Sequence, residues 1–221
     1  LTVEETVYEP LAAAYASLLQ EDRSRGVAVV DIGQHSTDLV IYDGDALVHS
    51  VSLPISADHL TKDLAYCLRV PYEDAEALKI QYGCAILGLT SDNSSIVVPA
   101  AGGRAAREVP RSELNRVLDA RAEEMFRYVA GEIERSGMEG SLMEGVVFTG
   151  AAVELQGMLD MAERVLNSHA RKGLILGVKD LPAECNAPDW AAAAGLAMYS
   201  ARLKVRKAKG PKPPGFFGLM R

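Results

Sequence analysis

Apolar positions along this chain follow two rhythms. Between 27 and 53 they come in short runs broken by turn residues. Val27-Ala28-Val29-Val30 leads to Asp31, the turn Gly33-Gln34-His35-Ser36-Thr37-Asp38 follows, and Leu39-Val40-Ile41-Tyr42 leaves it. Asp43-Gly44 is a hairpin signal before a further run over 46–53. The pattern predicts an antiparallel meander of three strands.

Elsewhere the rhythm is helical. Glu9-Pro10 opens an alanine-rich stretch, with proline suited to a first helical turn, glutamate favourable at the positive end of the helix dipole, and side chains small enough for close packing. Ser56 caps a helix with Leu60, Leu64, Cys67 and Leu68 at helical spacing, and Pro71 opens another that runs to Tyr82 and stops at Gly83. Residues 84–109 read as short strands around Gly102-Gly103. The stretch 110–135 is a long amphipathic helix whose stripe is Leu114, Val117, Leu118, Met125, Val129 and Ile133. Residues 145–148 form a buried strand, Thr149-Gly150-Ala151-Ala152 a small-residue turn into a helix over 153–166, and 174–178 one more strand. Pro188-Asp189-Trp190 starts a last alanine-rich helix.

Composition narrows the classes. In 221 residues, 48% are hydrophobic, enough for a real core. A net charge of −7 argues against a general nucleic-acid surface. Three scattered cysteines without CxxC spacing point to reduced thiols in the cytosol and no zinc site. No apolar run approaches the length of a membrane span, and no signal peptide opens the chain. The first residue is Leu1, so we read the chain as a piece whose N-terminal part is missing.

Several stretches carry candidate chemistry. The 27–42 hairpin offers an acid, a glycine and two hydroxyls at a tight turn, a place for a phosphate with Asp31 holding a hydrated divalent cation. The same pattern also describes an ordinary hairpin with a polar tip. Glu76 and Lys79 share a helix face, and as a bare pair they are a surface ion pair of little worth. Asn115, Arg116 and Arg121 lie off the stripe of the long helix and are candidates for a partner, the alternative being a solvated face. From Arg202 onward Lys204, Arg206, Lys207, Lys209 and Lys212 appear without acids; Pro211, Pro213 and Pro214 break helix, and Phe216, Phe217, Leu219 and Met220 form an apolar tip.

The order of a Glu-Pro helix, an Asp-Ile-Gly turn between strands and a Thr-Gly turn after a late strand resembles the second half of the ATP-binding superfamily of actin, MreB and the large heat-shock chaperones. Asp58-His59-Leu60-Thr61-Lys62-Asp63-Leu64-Ala65, Ala75-Glu76-Ala77-Leu78-Lys79 before Tyr82-Gly83, Arg121-Ala122-Glu123-Glu124 and Ala194-Gly195-Leu196 make the finer match to the bacterial cell-division family FtsA. The similarity covers nearly the whole chain. It implies an α/β, actin-like ATPase fold: an RNase H-like core lobe (1–56 and 141–203), an inserted smaller α+β subdomain (57–140), and a basic linker with a membrane-targeting tip (204–221). By resemblance, Asp31, Gly33, Ser36 and Thr37 hold the phosphates of ATP and Mg²⁺. Glu9 orients the attacking water, Glu76 and Lys79 clasp the adenosine, and Gly150 and Ala151 pass beneath it. The family further implies tethering of the tubulin-like FtsZ ring through its C-terminal tail, self-association into filaments, and a peripheral place on an anionic inner membrane at the division site. Gln34 and His35, Ser56 and Ala57, and Ala151 and Ala152 replace glycines of the family's three nucleotide turns. Each added Cβ narrows the space for a ligand, which weakens ATP binding and leaves at most a weak ATPase. Alternatives on the same fold are a cytoplasmic pilus-assembly scaffold of the PilM type and a chaperone- or sugar-kinase-type ATPase.

Overall fold

The computed structural model describes residues 2–3, 5–91 and 94–208, excepting the side chains of 206–208. The tip residues Phe216, Phe217, Leu219 and Met220 lie outside the described residues.

The expected meander forms: β1 (Val27–Ile32), β2 (Thr37–Asp43) and β3 (Ala46–Leu53) pair antiparallel in sequence order. β6 (Val146–Thr149) then joins β1 in parallel, and β7 (Ala170–Lys172) joins β6, giving the order β3-β2-β1-β6-β7. Every residue of β1 is buried, as a central strand covered on both faces requires. Strand alternation sorts its side chains. Ala28, Val30 and Ile32 join the larger core, and Val27 and Val29 cluster with Ala14 of α1 (Glu9–Ser17) and with Leu18 just past its end. The period of two therefore puts Asp31 on the α1 side of the sheet.

The rest of α1 explains its alanines. It packs against α7 (Ala191–Ala208), where a Cβ on Gly195 would run into the Ala12 carbonyl. The short α2 (Gln20–Ser24) leads from α1 into β1. Between β3 and β6 the chain leaves the large sheet for α3 (Ala57–Leu68), α4 (Tyr72–Tyr82), a two-stranded sheet of β4 (Ser95–Val98) and β5 (Arg107–Pro110), and α5 (Arg111–Ser136). Gly137 ends α5 at φ 73, a left-handed C-terminal stop. The Phe126 ring of α5 meets Phe148 of β6 edge to face at 5.6 Å, tying this segment to the sheet.

Three details differ from the sequence reading. The helix expected over 153–166 is split: a 3₁₀ turn covers Ala151–Glu154 and α6 covers Met158–Leu166. The break is made by Gln156, whose carbonyl accepts the Ala85 N–H at 2.8 Å as segment 84–85 bridges across, and by Gly157 at φ 78. The expected strand at 174–178 lies instead at 170–172. Gly173 N–H donates to Phe148 at 2.8 Å, β6 stops at Thr149, and Leu176 N–H turns to the Ala16 carbonyl of α1. Finally, the backbone of 204–208, expected to begin the linker, is the last part of α7.

The α1–α7 crossing makes a stability prediction. Gly195→Val should destabilise the protein by about 3 kcal/mol or more, because backbone rather than a flexible side chain blocks the new group. Gly131→Ala in α5, where a Cβ meets open space, should stabilise it by about 0.5–1 kcal/mol. Urea denaturation of both variants checks the contrast; a neutral Gly195→Val would contradict the crossing.

Candidate functional site

A cavity of about 590 Å³ opens beside the carboxyl ends of β1 and β6, within the range of small-molecule sites. Gly33 and Gln34 of the β1–β2 turn line it, facing Asp58 of α3 and Tyr72, Glu76 and Lys79 of α4; Ala151 and Arg111 complete its edge. Of the residues singled out from sequence, Gly33, Glu76, Lys79 and Ala151 are thus brought together. Glu9, Asp31, Ser36, Thr37 and Gly150 are not among its lining residues.

Glu76 and Lys79 are not the bare surface pair that spacing alone suggests. Lys79 is buried, and its Nζ donates to Glu76 Oε2 at 2.7 Å and to Thr61 Oγ1 at 2.8 Å. The Thr61 hydroxyl in turn donates to Glu76. This triad joins α3 to α4 and fixes both charged side chains at the cavity wall.

Gln34 of the turn is built into the same wall, whereas His35 beside it is exposed and does not line the cavity. The Tyr72 phenol hydrogen-bonds Asp58, Gln34 and Thr61, and Asp58 also takes Lys62 at 2.5 Å. The hydrogen bond to Asp58, with some burial, raises the phenol above its ordinary range; bonds from Lys62 and Tyr72 hold the Asp58 carboxyl below its own. His35 stands close enough to act on Asp58 electrostatically. Backbone links run in parallel: Ala57 N–H donates to the Gly33 carbonyl and Asp58 N–H to the Gln34 carbonyl, each at 3.1 Å. The first amides of α3 are therefore already engaged by the turn. Ser56 N–H donates to His59 Nδ1 at 3.2 Å, completing that cap.

Asp31 occupies the other side of the sheet end. Its carboxylate accepts the Thr149 hydroxyl at 2.8 Å, and it is only 8% exposed. Gly150, at φ +89, passes so close that a Cβ would strike the Ile32 carbonyl and press on Asp31. Ser36 Oγ donates to Asp38 Oδ2 at 2.9 Å, whereas Thr37 Oγ1 is buried without a partner. Glu9, exposed at the start of α1, is near enough to Asp31 to bear on its charge. Among the described residues no group of three His, Cys, Asp or Glu side chains could hold a metal ion.

The partner candidates on α5 separate. Asn115, expected off the buried stripe, is fully buried: its Oδ1 accepts the Cys84 N–H at 3.0 Å and its Nδ2 donates to Thr90 Oγ1 at 2.8 Å. It anchors the 84–90 segment and is buried out of a partner's reach. Arg116 is exposed, and Arg121 pairs with Asp63 at 2.5 Å and with Glu124. Sequence reasoning did not single out Tyr72, Asp58 and Arg111 as site residues. Helical spacing placed Asp58 and Tyr72 near the starts of two helices, but nothing in it says that those starts face one cavity.

Burial pushes the Asp31 carboxyl up to about 6; the charges of Glu9 and Asp38 act in the same direction, and the Thr149 hydroxyl opposes them. The folded state thus binds this proton more tightly than the unfolded chain, whose value is 3.8. Stability from this group is therefore greatest below about pH 4 and declines as pH rises through 6. At about 1.4 kcal/mol per unit the decline is at most about 3 kcal/mol. Asp31→Asn should be more stable than wild type at pH 7.5 and lose that advantage at pH 3.5. Denaturation curves at the two pH values check this, and an advantage independent of pH would contradict it.

The family model of the cell division protein FtsA matches residues 28–195. The chain is 36% identical over 199 residues to cell division protein FtsA of Pseudomonas aeruginosa, covering 90% of this chain and 48% of the relative. It is 34% identical over 206 residues to FtsA of Escherichia coli strain K12, covering 90% and 49%. The chain spans about half the length of the curated relatives it matches. Among solved structures, MreB 5 of Spiroplasma citri bound to AMPPNP superimposes with a TM-score of 0.73 at 16% identity, covering 92% of this chain and 61% of that one. A PilM–PilN type IV pilus biogenesis complex gives 0.64 at 20% identity, covering 86% and 51%. The fold is that of the actin-like ATPases, and the chain belongs to the FtsA family of cell-division proteins.

Proposed function

We propose that this chain is the second lobe of an actin-like adaptor that tethers FtsZ filaments to the cytoplasmic side of the inner membrane at the division site. The observation that carries the reading is membership of the FtsA family, through a match over residues 28–195. It favours this reading over a pilus-assembly scaffold or a chaperone-type ATPase, for which only the shared fold speaks.

In this reading the lobe supplies half of a nucleotide cleft. The fit rests on the 590 Å³ cavity and on Gly150, where a side chain would fill the space against Asp31. ATP with Mg²⁺, when bound, supplies a phosphate chain and a divalent charge between the two lobes. Glu76 and Lys79, locked by Thr61, hold the adenosine; Gly150 and Ala151 pass beneath it. Gly33, Ser36 and Thr37 form the phosphate turn, and Asp31 holds the hydrated cation. Glu9, near enough to Asp31 to bear on its charge, would orient water. The ties of Gln34 to Tyr72 and of the α3 amides to the turn stiffen the phosphate side and favour binding over turnover.

The FtsZ tail, acidic and apolar by family resemblance, docks on the α5 face at Arg116 and Arg121, where it must compete with Asp63 for Arg121. Asn115 is withdrawn from this surface. Copies of the chain associate into filaments. The basic residues from Lys204 onward approach an anionic surface, each worth about 1 kcal/mol there. Phe216, Phe217, Leu219 and Met220 insert, a weak anchor singly but sufficient when filaments multiply it.

A three-component sedimentation assay tests the tether. The full-length protein should carry purified FtsZ into the pellet with anionic vesicles. Phe216→Asp with Phe217→Asp should leave both proteins in the supernatant, and Arg121→Glu should leave only FtsZ there. FtsZ recovered equally with wild type and all variants would reject the reading.

A further inference from the structure

Far from the cleft, two arginines share one tyrosine ring. The Arg23 guanidinium of α2 lies 5.9 Å from the centroid of Tyr15 and 5.4 Å from that of Tyr42. The Arg202 guanidinium of α7 lies 6.0 Å from the same Tyr15 ring. Both border a second cavity of about 540 Å³, whose apolar wall includes Leu18, Leu176 and Met198.

The charge of this pair is not compensated. Among the described residues neither arginine has a carboxylate within ion-pair distance. Asp22, on the same short helix as Arg23, is spent on Arg171 at 3.0 Å and on the Leu19 N–H. Asp45 borders the cavity without pairing with either guanidinium. The hydrogen bonds that the arginines do make are long: Arg23 Nη2 to the Ala14 carbonyl and Arg202 Nη1 to the Tyr15 hydroxyl, each 3.4 Å. Arg23 Nε is buried with no partner at all. Stacking on an aromatic face attracts a cation but does not neutralise it, so both guanidinium charges stay uncompensated at the cavity rim.

We propose that this cavity binds a phosphate monoester. A monoester carries a charge of about −1.5 to −2 at neutral pH, which matches two guanidiniums better than a single carboxylate does. Guanidinium forks pair with phosphate oxygens in bidentate fashion, and the Nη atoms of the two arginines are held here only by long bonds. The wall of Leu18, Leu176 and Met198 accepts the apolar part of the ester. The same headgroup chemistry occurs in soluble phosphorylated metabolites and in phosphatidic acid. Arg202 lies six residues before the last described residue of α7, about 9 Å along the helix.

Two probes distinguish the sources in the full-length protein. Glycerol 3-phosphate is titrated calorimetrically, and vesicles containing phosphatidic acid are compared in sedimentation with vesicles containing phosphatidylglycerol, a diester. Binding of glycerol 3-phosphate, weakened at least tenfold by Arg202→Gln or Arg23→Gln, supports a soluble ester. Preference for phosphatidic acid vesicles alone, lost in the same variants, supports a lipid headgroup. Arg202 is exposed, so Arg202→Gln is expected to fold even where Arg23→Gln does not. Lys179→Gln, an equal loss of charge outside the cavity, should behave as wild type. The proposal is overturned if neither probe discriminates, or if Arg202→Gln and Lys179→Gln have equal effects.

Discussion

Gly150 has to pass the end of β1 with nothing on its α-carbon. At φ +89 it lies against the Ile32 carbonyl and the Asp31 carboxylate, with no room for a methyl group. This contact lets β1 and β6 end side by side. It puts the Thr149 hydroxyl on Asp31 and starts the 3₁₀ turn that carries Ala151 to the cavity edge. It also crowds Asp31, contributing to the burial that raises its pKa. A single close approach of two strand ends thus sets both the cavity wall and the state of the acid.

The alternation of β1 then divides the chemistry. Ile32 points toward α3–α6, where the cavity lies; Asp31 points toward α1, where Glu9 stands. The turn between β1 and β2 joins the two sides and is itself held by α3 and α4, through backbone bonds to Ala57 and Asp58 and through the Tyr72 phenol. Gln34 lines the cavity wall beside that turn, and its carbonyl accepts the Asp58 N–H.

Much of this was legible in the sequence because it rests on local rules. Alternating runs gave the meander, Pro10 and the alanines gave a closely packed α1, and Ser56 and Gly137 marked helix ends. What was missed depends on contacts between distant segments. Asn115 carries no apolar signature, so periodicity left it on the surface, although the Cys84 amide demands an acceptor inside. Gln156 lies in a helical-looking stretch, and only the crossing of Ala85 breaks it. The apolar residues at 174–178 resemble a strand, but β6 has no residue left to pair with them. Lys79 looks like any exposed partner of Glu76 until Thr61, eighteen positions earlier, closes over it.

In the proposed nucleotide site at the ends of β1 and β6, Asp31 answers to a divalent cation. Isothermal titration of the full-length protein with ATP, with and without Mg²⁺, at a pH well above 6, tests it most directly. Wild type should bind ATP more tightly with Mg²⁺ than without, and Asp31→Ala should lose the Mg²⁺-dependent part. An Asp31→Ala variant that binds ATP with unchanged affinity and unchanged Mg²⁺ dependence would contradict the account.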